Sequence, residues 1–114
     1  MISPQTLQLI LSFRDDRDWS QFHSARNLSA AIAVEASELL ENFVWASDDQ
    51  VKAITAERAP AIRNEIADIA ILLSYLAHDL EIDLDVAVRE KLQANAAKYP
   101  VEKSRGSNKK YTEL

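Results

Sequence analysis

The amino-acid sequence predicts an all-α protein of the four-helix-bundle type. Three observations favour this class. The 114 residues include a single glycine, so repeated tight-turn chemistry is absent. Alanine, leucine, isoleucine and glutamate dominate the chain, a composition that favours helices. Apolar residues make up 47% of the sequence, which is enough for one modest core. We expect residues 1–100 to form one helical domain and residues 101–114 to form a polar, basic tail.

Charge, cysteine content and hydropathy exclude several classes of protein. The formal net charge of −5 argues against general nucleic-acid binding. The absence of cysteine excludes disulfides and thiolate metal sites, and it fits a reducing cytoplasm, where we expect the protein to work. No signal peptide is visible, and the longest apolar runs are about five residues. A membrane span needs ~20 residues, so no membrane association is expected.

The first helix is predicted to begin at Ser3-Pro4, with serine as the N-cap and proline at the first helical position, and to run toward Asp18. Between residues 18 and 27 the helical periodicity fails. A connecting segment is normally small and polar, but this one carries two large aromatic residues and a histidine. One interpretation is a hydrophobic flap over the core. These residues are Trp19, Phe22 and His23.

The second helix is predicted over residues 28–46, capped by Asn27. Glu35 and Glu38 share one face of it, three residues apart. A solvated helix face alone explains this pair, so it is weak evidence for a site. The apolar arc on the other side comprises Leu28, Ile32, Ala36, Leu39, Leu40, Phe43 and Val44.

A short helix is predicted to start at Ser47-Asp48-Asp49 and to reach about Glu57, and Ala59-Pro60 opens a long helix that reaches about Leu80. Glu65 falls inside the apolar arc of this helix and Asp68 lies at its edge. Burying an unpaired carboxylate costs several kcal/mol, so Glu65 needs either a basic partner or a metal. Basic residues on the long helices are few, which favours the metal. The arc comprises Ile62, Ile66, Ile69, Leu72, Leu73, Leu76 and Leu80.

A last long helix is predicted from a cap at Asp83 to about Lys98, and Pro100 ends it. Lys91 and Asn95 project along its apolar stripe, one turn apart. Two polar residues on a side expected to be buried repeat the anomaly of Glu65. Lys91 either extends to solvent, pairs with an acid, or contributes to a site.

Four carboxylates around one point make a site for a hard cation such as Mg²⁺ or Mn²⁺. A carboxylate-held Mg²⁺ commonly also holds a substrate phosphate, and a free carboxylate can take the proton of a water molecule. A di-iron bundle would require Glu-x-x-His on two helices. The two histidines, His23 and His78, do not provide that motif, and one glycine cannot build a phosphate-binding loop.

The two acid pairs, Glu35-x-x-Glu38 and Glu65-x-x-Asp68, resemble the ExxE…ExxD pattern of MazG-like, all-α nucleotide pyrophosphohydrolases. Among these enzymes the chain is most similar to dCTP pyrophosphatases, through residues 17–28 before the first acid helix. The resemblance covers most of the chain. Further similarities lie at Phe43-Val44-Trp45, Lys91 to Asn95, Tyr99-Pro100 and the closing Lys110-Tyr111-Thr112-Glu113-Leu114.

This resemblance implies Mg²⁺-dependent hydrolysis of a (deoxy)nucleoside triphosphate, such as dCTP or a modified pyrimidine analogue, to the monophosphate and pyrophosphate. It also implies a homo-oligomer, either a dimer or a tetramer. By matching position, the four acids would ligate the metal and one glutamate would act on the attacking water. The substrate-binding residues implied are Trp19, His23 and Trp45 for the base, and Lys91, Asn95 and Tyr99 for phosphate or sugar.

Some positions depart from the family pattern. Leu72 stands where dCTP pyrophosphatases tend to carry an aromatic residue, and Tyr75, one turn further on, does not simply replace it. The linker 46–59 is shorter than in the animal enzymes, and Ser24-Ala25 stands in place of Gln-Pro. These departures affect base preference more than reaction type. Two alternatives to an enzyme are a helical interaction module and a protein that sequesters a nucleotide without cleaving it.

Overall fold

The computed structural model describes residues 2–114, and its regular structure is entirely helical. No strand occurs among these residues, which confirms the predicted all-α class. The connections at Ser20–Phe22 and Tyr111–Glu113 are 3₁₀ turns. The α helices are α1 (Pro4–Asp16), α2 (Ala25–Glu41), α3 (Asp48–Glu57), α4 (Ala59–Asp79), α5 (Leu84–Lys98) and α6 (Val101–Ser104). No helix in this part of the chain is both long enough and apolar enough to cross a membrane.

The predicted caps of α1 and α5 are present. The Ser3 hydroxyl accepts a hydrogen bond from the Thr6 amide at 3.2 Å. The Asp83 carboxylate accepts one from the Val86 amide at 3.1 Å. Each bond satisfies a backbone donor that the first turn of a helix leaves free, so both helices begin where the sequence indicates.

The predicted bounds of α2 are wrong at both ends. The N-cap is Ser24, whose hydroxyl accepts from the Asn27 amide at 3.1 Å, and not Asn27. The Asn27 side chain instead donates to the Phe22 carbonyl at 3.0 Å, which ties the aromatic connection to the first turn of α2. The helix therefore begins at Ala25, three residues early, and it ends at Glu41 instead of residue 46.

Within residues 2–81, α4 is the central helix and α2, α1 and α3 all pack against it, α2 most extensively. Ile10, Leu28 and Tyr75 form the buried core, with Leu72 and Leu76 packed on it. The Tyr75 hydroxyl donates to the Ile10 carbonyl at 2.9 Å, which satisfies its polar end inside the core.

An ion pair joins α1 to the last turn of α4. Arg14 is 5% exposed, and its guanidinium donates two hydrogen bonds, at 2.7 and 2.8 Å, to the carboxylate of Asp79. The same guanidinium stands 4.6 Å from the centre of the Tyr75 ring. This bidentate contact holds the pKa of Asp79 below its usual range.

Residues 82–114 form a second compact unit. An ion pair on α5 links Arg89 and Asp85 at 3.1 Å, one helical turn apart and exposed. The apolar stripe predicted for α5 is largely open to solvent in this chain, where Leu92 is 61% exposed. The expectation that this stripe is buried within the chain is therefore wrong.

The C-terminal tail contains regular structure and contacts its own unit. The Tyr111 ring meets that of Tyr99 edge to face, with 6.0 Å between centroids. The Lys98 ammonium lies 5.0 Å from the centre of the Tyr111 ring. These aromatic and cation–π contacts fold the tail back onto the end of α5. The boundary predicted at residue 100 stays a prediction.

Candidate metal centre

Three carboxylates from two helices meet on one side of the α2–α4 pair. Glu35 and Glu38 lie one turn apart on α2, and Glu65 faces them from α4. One carboxylate oxygen from each lies within 4.8 Å of the others, and all three residues are partly buried. The structure therefore brings together three of the four predicted metal ligands.

The orientation of α2 differs from the one that its apolar arc predicts. Leu28 at the start of the arc is buried, but Leu40 is 58% exposed and Val44 is also open to solvent. Glu35 and Glu38, expected on the solvated side, are instead partly buried toward α4. The arc shows which residues of the helix are apolar, whereas packing against α4 decides which of them are buried.

The close approach of the acids raises the pKa of two of them. The pKa of Glu35 is raised, chiefly because its neutral form can share a hydrogen bond with the Glu65 carboxyl. The pKa of Glu38 is raised, chiefly by the same kind of interaction with Glu35. One oxygen of Glu65, Oε2, is buried and has no hydrogen-bond partner. No lysine or arginine forms an ion pair with these acids among residues 2–114.

This donor set fits a divalent cation. Carboxylate oxygens are the ligands that Mg²⁺ and Mn²⁺ prefer, and a cation between them removes the repulsion that the metal-free cluster carries. A bound cation would stabilise the buried oxygen Oε2 of Glu65 most, since this atom has no hydrogen-bond partner and water does not reach it. The acid cluster can thus bind a metal and, through the metal, a phosphate.

Asp68 lies one turn beyond Glu65 on α4 and is exposed. Its charge contributes to the raised pKa of Glu35, so it stands near the cluster. It supplies no oxygen to the group of three, where Glu35, Glu38 and Glu65 meet. Its role as a fourth ligand stays a prediction.

Two cavities of about 440 Å³ each lie beside the acids. The first, the acid cavity, is lined by Glu38, Glu41, Asn42, Arg58, Ala61 and Glu65. The second, the tryptophan cavity, is lined by residues of the α2–α3 connection and of α3, among them Trp45, Asp49 and Ile54. Glu41, Asn42 and Arg58 line both cavities, so the two are adjacent.

Trp45 is the predicted base-binding residue that borders the cavity next to the acid cavity. Its side chain is 93% exposed and borders the tryptophan cavity. An exposed indole offers a flat face on which a planar ligand can stack. Its role in base binding stays a prediction.

Trp19 and His23 lie elsewhere in residues 2–81, and neither lines the two cavities. Trp19 packs edge to face on Phe13, with centroids 5.7 Å apart. The His23 ring lies against Tyr75 at 5.3 Å, and burial, aided by the nearby Arg14 charge, lowers the pKa of His23. His23 thus contacts the core residue Tyr75, whereas Phe22 is 62% exposed. The flap interpretation and the substrate roles of Trp19 and His23 stay predictions.

Lys91, Asn95 and Tyr99 follow one another along α5 and its C-terminal end, in the unit 82–114. Lys91 is exposed, so the expectation that it points into the interior of the chain is wrong. Asn95 is partly buried, and Tyr99 contacts Tyr111. Their roles in binding phosphate or sugar stay predictions.

Sequence reasoning missed Arg58, which stands at the junction of α3 and α4. It is the one basic residue lining either cavity, and it lines both. The available signal was its position directly before the Ala59-Pro60 helix start, seven residues before Glu65, in a junction between two helices.

Comparisons with known proteins agree with this fold. A family model described as the MazG-like family matches residues 30–114. The crystal structure of a pyrophosphatase from Archaeoglobus fulgidus DSM 4304 matches with a TM-score of 0.82 and 37% identity, over 84% of this chain and 90% of that one. The chain therefore belongs to the MazG-like family, which confirms the resemblance.

Particular relatives are also identifiable. The chain is 41% identical over 109 residues to dCTP pyrophosphatase 1 of Mus musculus, and 38% identical over 109 residues to dCTP pyrophosphatase 1 of Homo sapiens. Each match covers 94% of this chain. The chain spans 64% of the length of these curated relatives.

Proposed function

We propose that this protein hydrolyses a nucleoside triphosphate, namely dCTP or a modified pyrimidine analogue, to the monophosphate and pyrophosphate in a Mg²⁺-dependent reaction. The observation that carries the proposal is the cluster of Glu35, Glu38 and Glu65, whose acid cavity adjoins a cavity bordered by Trp45. The dCTP pyrophosphatases of mouse and human support the substrate class. The pyrophosphatase from Archaeoglobus fulgidus supports the reaction.

The acids hold the metal and handle the proton. Glu35, Glu38 and Glu65 ligate Mg²⁺, with Asp68 as the fourth ligand; Mn²⁺ suits the same oxygens. When bound, Mg²⁺ supplies positive charge that offsets the triphosphate and polarises its phosphoryl group. One glutamate accepts a proton from the water that attacks the α-phosphorus, and the bond to the β-phosphate oxygen breaks, releasing pyrophosphate.

Base recognition rests on Trp45, together with Trp19 and His23. Trp45 stacks on the base, since its indole is exposed and borders the cavity next to the acids. Leu72 packs on the core, and Tyr75 is 3% exposed with its hydroxyl bonded to Ile10, so Tyr75 offers no second stacking face. A site with fewer aromatic faces accepts a wider range of bases, including modified ones.

The proposal includes a homo-oligomer, dimer or tetramer, in which Lys91, Asn95 and Tyr99 bind phosphate or sugar. The support is apolar surface that this chain leaves open to solvent, on α4 at Ile66 and on α5 at Leu92. Exposed apolar surface of this kind marks protein–protein contacts. Light scattering coupled to size-exclusion chromatography measures the assembly, and a monomer at micromolar concentration would contradict it. We place the reaction in the cytoplasm, where nucleotide pools are found.

The direct test is pyrophosphate release from a panel of common and modified triphosphates. We expect turnover with Mg²⁺, none with EDTA, and the fastest turnover with dCTP or a modified pyrimidine. Pyrophosphate release that persists in EDTA would contradict the metal site. Binding of triphosphate without release would instead identify a sequestering protein. If the protein neither binds nor hydrolyses a triphosphate, the helical interaction module is the alternative that remains.

A further inference from the structure

Arg58 lies where the acid cavity and the tryptophan cavity meet. It follows the last residue of α3 and precedes Ala59, the first residue of α4, so the backbone on both sides of it is helical. Its guanidinium has no hydrogen-bond or ion-pair partner within residues 2–114, although Glu38, Glu41 and Glu65 line the same acid cavity. An arginine beside three acids that pairs with none of them is free to bind a ligand.

The acid cavity has more negative than positive side chains in its walls. The walls of the acid cavity contain three carboxylates, and Arg58 is the single basic residue. The cluster uses its acids to hold a cation, and a bound triphosphate adds several negative charges to the same space. Arginine matches phosphate oxygens with parallel hydrogen bonds, so it is suited to phosphate groups that the metal leaves uncompensated.

We propose that Arg58 binds the phosphate chain of the substrate between the base at Trp45 and the metal at the acid cluster. A nucleotide with its base in the tryptophan cavity and its phosphates in the acid cavity passes Arg58, because that side chain lines both. Arg58 is then a substrate-binding residue that distinguishes phosphorylated ligands from the free nucleoside. This inference rests on the proposed function of the acid cluster.

The test compares Arg58→Ala with the wild-type protein in kinetics and in binding. We expect Arg58→Ala to raise KM for dCTP about tenfold or more, with a smaller change in kcat, because one charge-assisted contact is lost in substrate and transition state alike. Isothermal titration with inorganic pyrophosphate and Mg²⁺ should show a similar loss of affinity. Titration with deoxycytidine, which lacks phosphate, should show none.

Three matched variants complete the design. Arg58→Lys keeps the charge and should recover part of the loss. Arg63→Ala removes an exposed arginine that lies on α4 and lines neither cavity, and it should leave KM and both affinities unchanged. If circular dichroism shows that Arg58→Ala is unfolded, Arg58→Gln replaces that variant in every measurement. Glutamine keeps most of the aliphatic stem of arginine and removes its charge.

The outcomes separate this inference from the proposed function. A wild-type protein that hydrolyses dCTP, together with an Arg58→Ala variant whose KM and pyrophosphate affinity stay within about twofold, overturns the role of Arg58 alone. A wild-type protein without turnover overturns the proposed function, and the pyrophosphate titration then decides on Arg58. A wild-type protein that neither hydrolyses dCTP nor binds pyrophosphate overturns both.

Discussion

The two ends of α4 place a carboxylate in opposite electrostatic surroundings. Near the C-terminal end, Asp79 meets the guanidinium of Arg14 in a bidentate ion pair at 2.7 and 2.8 Å. Fourteen residues earlier, which is about 21 Å along a helix, Glu65 meets only the carboxylates Glu35 and Glu38. The first carboxylate has its counter-charge within the chain, and the second does not.

This difference separates structure from function. A carboxylate that is paired inside the protein contributes to stability. The partner charge stabilises the ionised form of the carboxylate, and its lowered pKa reflects this. A group of like charges destabilises the metal-free protein, so the fold carries a free-energy cost that a bound cation or protonation of the acids removes. If the two ends of α4 divide in this way, substitutions at the acid end change activity and those at the ion-pair end change stability.

The largest expected effect is on catalysis at the acid end. Glu65→Gln should abolish turnover, by about a thousandfold or more, because a neutral amide neither holds the metal nor accepts a proton as the carboxylate does. The fold should remain intact, since removal of one charge relieves repulsion in the cluster. Pyrophosphate release and circular dichroism measure the two effects. Wild-type turnover in this variant would remove Glu65 from the mechanism.

At the other end, Asp79→Ala should lower stability. The substitution leaves Arg14 buried without its partner, and we expect a loss of about 2–4 kcal/mol in the free energy of unfolding. The midpoint of urea denaturation measures this loss. Activity per folded molecule should persist, because neither residue lines the cavities. An unchanged midpoint would show that the ion pair contributes nothing to stability.

Addition of Mg²⁺ should stabilise the wild-type protein through the acid end alone. At a hundred times the dissociation constant, binding to the folded state adds about 2.7 kcal/mol. Thermal melting in EDTA and in Mg²⁺ measures the shift, which Glu65→Gln should lose and Asp79→Ala should retain. An equal shift in the wild-type protein and in Glu65→Gln would place the metal elsewhere.

Loss of Trp45 should affect substrate binding more than chemistry. We expect Trp45→Ala to raise KM about tenfold, because base stacking is lost, and to change kcat less. Stability should hardly change, since the indole is 93% exposed. A fall in kcat alone would contradict the assignment of Trp45 to the base pocket.

The smallest effects concern pH, and the two ends should differ in sign. The pKa of Asp79 is lowered from its ordinary 3.8, so its stabilisation is complete above that value and is lost as the pH falls through the lowered pKa. The pKa values of Glu35 and Glu38 are raised from their ordinary 4.5, so metal-free protein loses stability as the pH rises above 4.5 through the raised values.

Urea denaturation in EDTA across this pH range measures both trends. Asp79→Asn should remove the loss at low pH, and Glu35→Gln should reduce the loss above pH 4.5. If both variants keep the wild-type pH dependence, these groups do not control it.

Local patterns predicted the helices and the residues of the cluster. Ser3, Asp83 and Ala59-Pro60 marked helix starts correctly, because a cap or an initial proline acts within one turn. The Glu-x-x-Glu and Glu-x-x-Asp spacings placed each acid pair on one helix face, since that geometry is set by 3.6 residues per turn.

The tertiary structure decided which faces are covered. The apolar arcs alone leave Glu35 and Glu38 on a solvated face and place Lys91 on a buried one. In the structure, packing on α4 partly covers the two glutamates, and Lys91 is exposed on α5. Arg58 lies beside both cavities because it occupies the junction between α3 and α4. Spacing within one helix could not indicate this position. The sequence by itself determined where helices begin and which residues share a face. Which faces meet depends on contacts between residues distant in the chain, and only the folded structure decides that.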